Sequence, residues 1–128
     1  MMNEHTTSIG AHAWVVADGY IPPASTGPAP EMISHDSICM LNAGDRPAEL
    51  EVFAYFTDRE PVGPFQLPIA PRRAHHQRIN DLTDPEPIPP GADYCLVVRS
   101  DEPIVVQHTR LDSRQAANAL MTTIAYPA

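Results

Sequence analysis

The chain has no lysine; its eight basic residues are all arginine. That excludes a lysine Schiff base, a P-loop lysine and a flexible polylysine arm. Basic charge is scarce altogether, eight residues against sixteen Asp and Glu, for a formal net charge of −8. Phosphate attraction needs net positive surface, so this balance argues against a non-specific DNA binder. Cysteine is limited to Cys39 and Cys95, with no CxxC. Two buried reduced thiols are the simplest expectation, with a disulfide as the alternative. Long apolar runs are also missing: stretches such as Ala13–Ala17 and Pro103–Val106 fall far short of the ~20 residues that a membrane span needs. Met1–Ser8 has neither a basic start nor an apolar stretch and does not read as a signal peptide, so the expected location is the cytoplasm. GxSxG, GxGxxG, GxxxxGK[ST], HExxH and HxH do not occur. No enzymatic activity, cofactor or metal site is therefore expected.

Proline, by contrast, is abundant: fifteen in 128 residues. Proline neither donates to a β-ladder nor continues a helix. Here it punctuates short apolar segments at intervals of roughly ten residues, the spacing of an all-β sandwich or barrel. Strands are predicted near His12–Ala17, His35–Leu41, Ala48–Thr57, Phe65–Ile69, Arg73–Ile79, Tyr94–Arg99, Ile104–Leu111 and Met121–Tyr126. Leu50, Val52, Ala54 and Phe56 share one strand face, opposite Glu49, Glu51, Phe53 and Tyr55. Asp112–Gln115 resembles a helix start, with Asp112 as N-cap, and Ala116–Met121 favours one or two turns. Length and a 43% hydrophobic fraction fit one globular domain over residues 1–128, with 1–10 expected to be disordered. Two proline-rich loops stand out, Tyr20–Pro30 and Asp84–Gly91. The first reads either as a lid or subunit contact or as a plain connection.

Three groups of residues can carry chemistry. In PIVVQHTRLDSR, Pro103–Arg114, alternation places Ile104, Val106, His108, Arg110 and Asp112 on one face. That face begins apolar and turns polar, the profile of a strand that starts in the core and ends at a pocket or interface. An imidazole, a guanidinium fork and a carboxylate in a row can grip vicinal hydroxyls or a carboxylate; the competing reading is an Arg110–Asp112 ion pair beside a satisfied histidine. Trp14 stands near Asp18, Gly19 and Tyr20, so a flat ring with acceptors suits a sugar-like ligand, while a lone tryptophan also suits the core. Arg72, Arg73 and Arg78 lie with His75 and His76 in a segment that is apolar on neither face. It reads as a solvated edge strand or as a local anion or nucleic-acid site.

Several stretches resemble the sensory rhodopsin transducer family: GYIPP at Gly19–Pro23, SHDSICMLNAGD at Ser34–Asp45, TDREPVGPF at Thr57–Phe65, RINDLTDPEPIP at Arg78–Pro89, and PIVVQHTRLDSRQAANAL with the closing TIAYP. Together they span Trp14 to Pro127. The resemblance implies an antiparallel β-sandwich of jelly-roll type, with at most one short helix, that assembles as a cytoplasmic tetramer. It implies signal transduction with a microbial rhodopsin as partner. It also carries proposals of DNA binding, which the net charge disfavours, and of binding small sugar-like metabolites. Trp14, Tyr20, His35, His108, Arg110, Asp112 and Arg114 fall in matching motifs and are the candidate ligand-binding residues. Asp36 follows His35 where a glutamate is expected, which keeps the charge and shortens the reach. The functions to be weighed are thus a signalling protein that binds a small polar metabolite, a DNA-binding regulator acting through Arg72, Arg73 and Arg78, and a sugar-modifying enzyme.

Overall fold

The computed structural model describes residues 8–128. Eight strands form in chain order: β1 (Ala11–Tyr20), β2 (His35–Asn42), β3 (Ala48–Phe56), β4 (Val62–Ile69), β5 (Arg73–Arg78), β6 (Asp93–Asp112), β7 (Ala119–Ile124) and β8 (Tyr126–Pro127). Every pairing is antiparallel. The strands build two layers, one ordered β4-β3-β6-β1-β8 and the other β5-β2-β6-β7. The expected antiparallel all-β sandwich is therefore what the chain forms.

The two segments predicted on either side of Pro103 are one strand of 20 residues, β6. Its first half pairs with β1 and β3, and its second half with β2 and β7. Pro103 falls where the strand passes from one layer to the other, so its missing N–H costs little pairing. Inward parity survives the crossing: Tyr94, Leu96 and Val98 are buried in the first layer, and Ile104, Val106 and His108 in the second. The core fills the space between the layers, with Leu50, Val52 and Ala54 of β3 facing Ile38 and Met40 of β2. Each fully buried aliphatic side chain of this kind contributes about 1.5–3 kcal/mol.

The predicted helix at Asp112–Met121 does not form. Ser113 is instead held by tertiary bonds: its N–H donates to Ser34 Oγ at 2.9 Å, its hydroxyl to Met32 O at 2.6 Å, and its carbonyl accepts from Thr26 N at 2.7 Å. The Asp112 carboxylate is taken by Arg114, and Ala119–Ile124 pairs with β6 as β7. Among the described residues the one helical turn is a 3-10 turn at Ile79–Asp81. Thr26 pins the proline-rich Tyr20–Pro30 loop to the body, its N–H and its hydroxyl both donating to Ser113 O. The second proline-rich loop joins it through Gly91 N–H to Ile21 O, 2.8 Å. Cys39 and Cys95 are unpaired and half-buried rather than fully buried, because each points to the outside of its own layer. Of the stretch expected to be disordered, 1–7 lie outside the described residues; Gly10 lies so near β6 that a Cβ would sit 2.2 Å from Ile104 O. No helix among the described residues is long and apolar enough to cross a membrane.

Candidate functional site

A buried carboxylate organises the polar interior. Asp36 shares the inward face of β2 with Ile38 and Met40 and is fully buried. Ladder register sets Arg110 of β6 directly opposite it. Arg110 Nε donates to Asp36 Oδ1 at 2.8 Å. Oδ2 accepts the Tyr20 N–H at 2.7 Å and the Tyr94 hydroxyl at 2.5 Å. A buried carboxylate survives only when charge and hydrogen bonds replace its water, and here both do. Burial alone would raise its pKa, but the His108 ring, Arg110, Tyr94 and the Tyr20 amide together hold it below the usual 3.8. Burial, with the Asp36 charge beside it, pushes the Tyr94 hydroxyl far above its ordinary value. Burial works against the Arg110 charge, but Asp36 and then Asp18 more than offset it and keep the guanidinium protonated.

Gly19 makes this arrangement fit. A Cβ there would sit 2.3 Å from Tyr94 Cε2, so only a glycine lets the Tyr94 ring lie against β1 with its hydroxyl on Asp36. The second arm of Arg110 reaches outward, Nη2 donating to Asp18 O at 2.5 Å. Outside the buried acid, Arg110 and Arg114 both stand over the Tyr20 ring, at 5.9 and 5.8 Å from its centroid, within cation–π range.

His108 is 2% exposed, and its Nε2 has no hydrogen-bond partner; Asp36 Oδ2 stands 3.5 Å away. The ring also lines a cleft of about 280 Å³ between β1 and β7, walled by Val15, Ala17, Met121 and Ile124 with Thr123 and Asp18 as polar members. A larger cavity of about 640 Å³ lies elsewhere, beside the β2–β3 loop. Its arginines are already engaged, Arg46 with Glu102 at 3.5 Å and Arg72 with Asp45 at 2.9 Å, and it does not reach the Asp36 cluster.

The predicted site residues thus separate. His108 and Arg110 come together, but around Asp36 rather than Asp112. Asp112 turns to Arg114, with Nη2 donating to Oδ2 at 2.6 Å; that bond lowers the Asp112 pKa and raises that of Arg114. Tyr20 joins through its ring and its backbone. His35 faces away from Asp36 and bonds Ile33 O through Nδ1 at 2.7 Å. Trp14 is in the core, 5% exposed, its indole N–H shared by Ala11 O and Ile104 O at 3.1 and 3.0 Å; it offers no face for stacking on a ligand. The three arginines of the nucleic-acid alternative do not converge either. Arg72 pairs with Asp45, Arg73 bonds the Pro71 and Arg72 carbonyls, and Arg78 at the far end of β5 donates to Pro30 O at 2.8 Å.

Asp36 and Tyr94 are not among the candidate ligand-binding residues of the sequence, and Asp18 enters there only as an acceptor beside Trp14. The signal for the first two is the alternation itself. Asp36 keeps step with Ile38 and Met40, and Tyr94 with Leu96 and Val98, so each polar group is carried to the inward face. For Asp18 the sequence offers only its closeness to Tyr20.

Fold and site define a class, an antiparallel β-sandwich in which one strand serves both layers and a buried acid is locked by an arginine and a tyrosine. The chain belongs to the sensory rhodopsin transducer family: the family model for the Anabaena sensory rhodopsin transducer matches residues 9–127. The solved structure of the Anabaena sensory rhodopsin transducer is 52% identical, with a TM-score of 0.74 over 81% of this chain and 100% of its own. The crystal structure of Thermotoga maritima 1070 is 35% identical, with a TM-score of 0.84 over 94% of this chain and 97% of its own. No curated protein matches the chain.

Proposed function

We propose that this protein is a non-enzymatic signalling protein of the cytoplasm that docks on a microbial rhodopsin and relays its state through a homo-oligomer, a tetramer on the family resemblance. The observation that carries the reading is the family match over residues 9–127, with a 52% identical relative named as a sensory rhodopsin transducer. Charge supports it. Cytoplasmic loops of membrane proteins are rich in Lys and Arg, and a partner of net charge −8 is attracted to such a surface. The interior supports the non-enzymatic part, since Asp36 and Arg110 are engaged with each other and Asp36 is held ionised, which leaves neither free for proton transfer. The test is capture on a microbial rhodopsin in detergent micelles. Retention at low salt that falls steeply as salt rises is the expected result; no retention even at low salt overturns the reading.

A small-ligand reading rests on the cleft beside His108. A sugar-like molecule there would have an apolar wall for its ring face and Asp18, Thr123 and the imidazole for its hydroxyls. A ligand at 100 times its dissociation constant adds about 2.7 kcal/mol of stability, so a thermal-shift panel of sugars and sugar acids tests it. A panel without a shift ends it. DNA is the weaker alternative, because its three arginines are dispersed and the whole chain is acidic.

A further inference from the structure

A sheet edge is a row of unpaired N–H and C=O groups, and proteins blunt such edges with prolines and charges. Three of the four outermost strands here are blunted in that way. β4 carries Pro64 and Pro68, β5 carries Arg73 and Arg78, and β8 carries Pro127. The fourth, β7, pairs with β6 alone, and its six residues, ALMTTI, hold neither a proline nor a charge. The stretch of β1 beyond the reach of β8 is no equal of it: a register shift breaks it between Val16 and Gly19, and its Asp18 carbonyl is taken by Arg110. Alternation fixes which groups of β7 are open. Ala125 N–H donates to Val106 O at 3.1 Å, so in antiparallel step Thr123, Met121 and Ala119 also turn their N–H and C=O groups to β6. Those of Leu120, Thr122 and Ile124 point to the free edge. Apolar surface is left bare at the same place. Among the described residues six large hydrophobic side chains are exposed, and Leu120, Ile124 and Tyr126 are three of them.

We infer that β7 takes an extended segment of the docked partner as a further strand. Strand addition gives partners to the three open N–H and C=O pairs. At a spacing of about 4.8 Å the new strand closes the side of the sandwich over the cleft between β1 and β7. Every second side chain of it then points between the layers, toward Val15, Ala17 and Met121, with the His108 ring at the base and its Nε2 still without a hydrogen-bond partner. Charge selects the occupant. Asp18 stands at this cleft with its side chain 87% exposed, and the nearest cation, Arg110 at 3.8 Å, is spent on Asp36. The fitting segment is therefore apolar at alternate positions and carries lysine or arginine beside them. Cytoplasmic segments next to membrane spans are rich in those cations. A second copy of the chain brings a charge of −8 instead, and its own β7 offers no cation to Asp18. The inference rests on the rhodopsin docking of the proposed function and names the contact that makes it.

Amide hydrogen exchange and one substitution provide the test. In the free chain the amides of Leu120, Thr122 and Ile124 should exchange fast, while those of Met121 and Thr123, bonded to β6, are slow. Capture on a microbial rhodopsin in detergent micelles should slow the three edge amides at least tenfold. Thr122→Pro removes an N–H only from the free edge and should weaken capture about tenfold, with the unfolding midpoint measured alongside; Thr122→Ala keeps that N–H and should capture as wild type does. A second arm uses a synthetic peptide of alternating valine and threonine between lysine ends, which should slow the same three amides. Capture that leaves those amides as fast as in the free chain, or a folded Thr122→Pro that captures like wild type, overturns the inference. So does slowing of the three amides in the free chain as its concentration rises, which makes a second copy the occupant. Failure of capture with the peptide still protecting the edge strikes the functional reading and leaves the edge site standing; failure of both strikes both.

Discussion

Two arginine–aspartate pairs flank the same tyrosine and differ in almost everything but composition. Arg110–Asp36 is built across strands, its acid fully buried and bonded also by Tyr94 and the Tyr20 amide. Arg114–Asp112 is built within one turn, two residues apart, and stands in solvent. Both guanidiniums lie over Tyr20 at nearly equal distance. Water can replace either partner of the exposed pair, so its loss is cheap. Nothing replaces Arg110 at Asp36 except another charge, so the inner pair is required once the fold has enclosed it.

Substitutions at the two pairs should therefore diverge. Asp36→Asn leaves Arg110 without its carboxylate and should cost about 3–5 kcal/mol in urea unfolding; a loss no larger than that of an exposed pair would end the distinction. Tyr94→Phe removes one donor from a charged acceptor while Arg110 and the Tyr20 amide remain, and should cost about 1.5–3 kcal/mol. Gly19→Ala forces a methyl into the Tyr94 ring and should cost about 1–3 kcal/mol by overpacking; combined with Tyr94→Phe it should show clear non-additivity, since the two sites touch. Asp112→Ala should leave the unfolding midpoint where it is.

Acidity sharpens the same contrast. The folded pKa of Asp36 is below its ordinary 3.8, so its stabilisation is complete above that value and is lost as pH falls through the folded pKa. Tyr94 runs the other way. Its pKa is raised above 10.0, so its contribution is complete below that value and declines as pH rises beyond it. Wild-type stability should thus hold between these limits and fall on both sides. Tyr94→Phe should flatten the alkaline fall and keep the acid one, whereas Asp112→Ala should change neither.

The strands were largely legible because proline marked their ends and alternation marked their faces; β3 is the clearest, with Leu50, Val52 and Ala54 inside. Pro103 misled at β6, because a proline was read as an end where it is a crossing between layers. The helix expected after Asp112 failed for a different reason. Local capping chemistry was outweighed by Ser34, Met32 and Thr26, which are distant in sequence and seize Ser113. The site was half legible. Arg110 and His108 were picked out on the inward face, but their partner is Asp36, 74 residues from Arg110, and no spacing rule reports a ladder register between strands so far apart. Trp14 stayed ambiguous for the same reason: whether a lone indole meets ligand or core depends on the Ile104 carbonyl that receives its N–H.

Membership of β6 in both layers leaves the sandwich without a seam. The halves cannot come apart like the covers of a book, because their spine is also a page in each. A pull applied at the Asp93 end is transmitted by unbroken backbone to the turn holding Asp112 and Arg114, so opening either layer must draw on the other, and amides in the two should exchange with solvent as one cooperative unit.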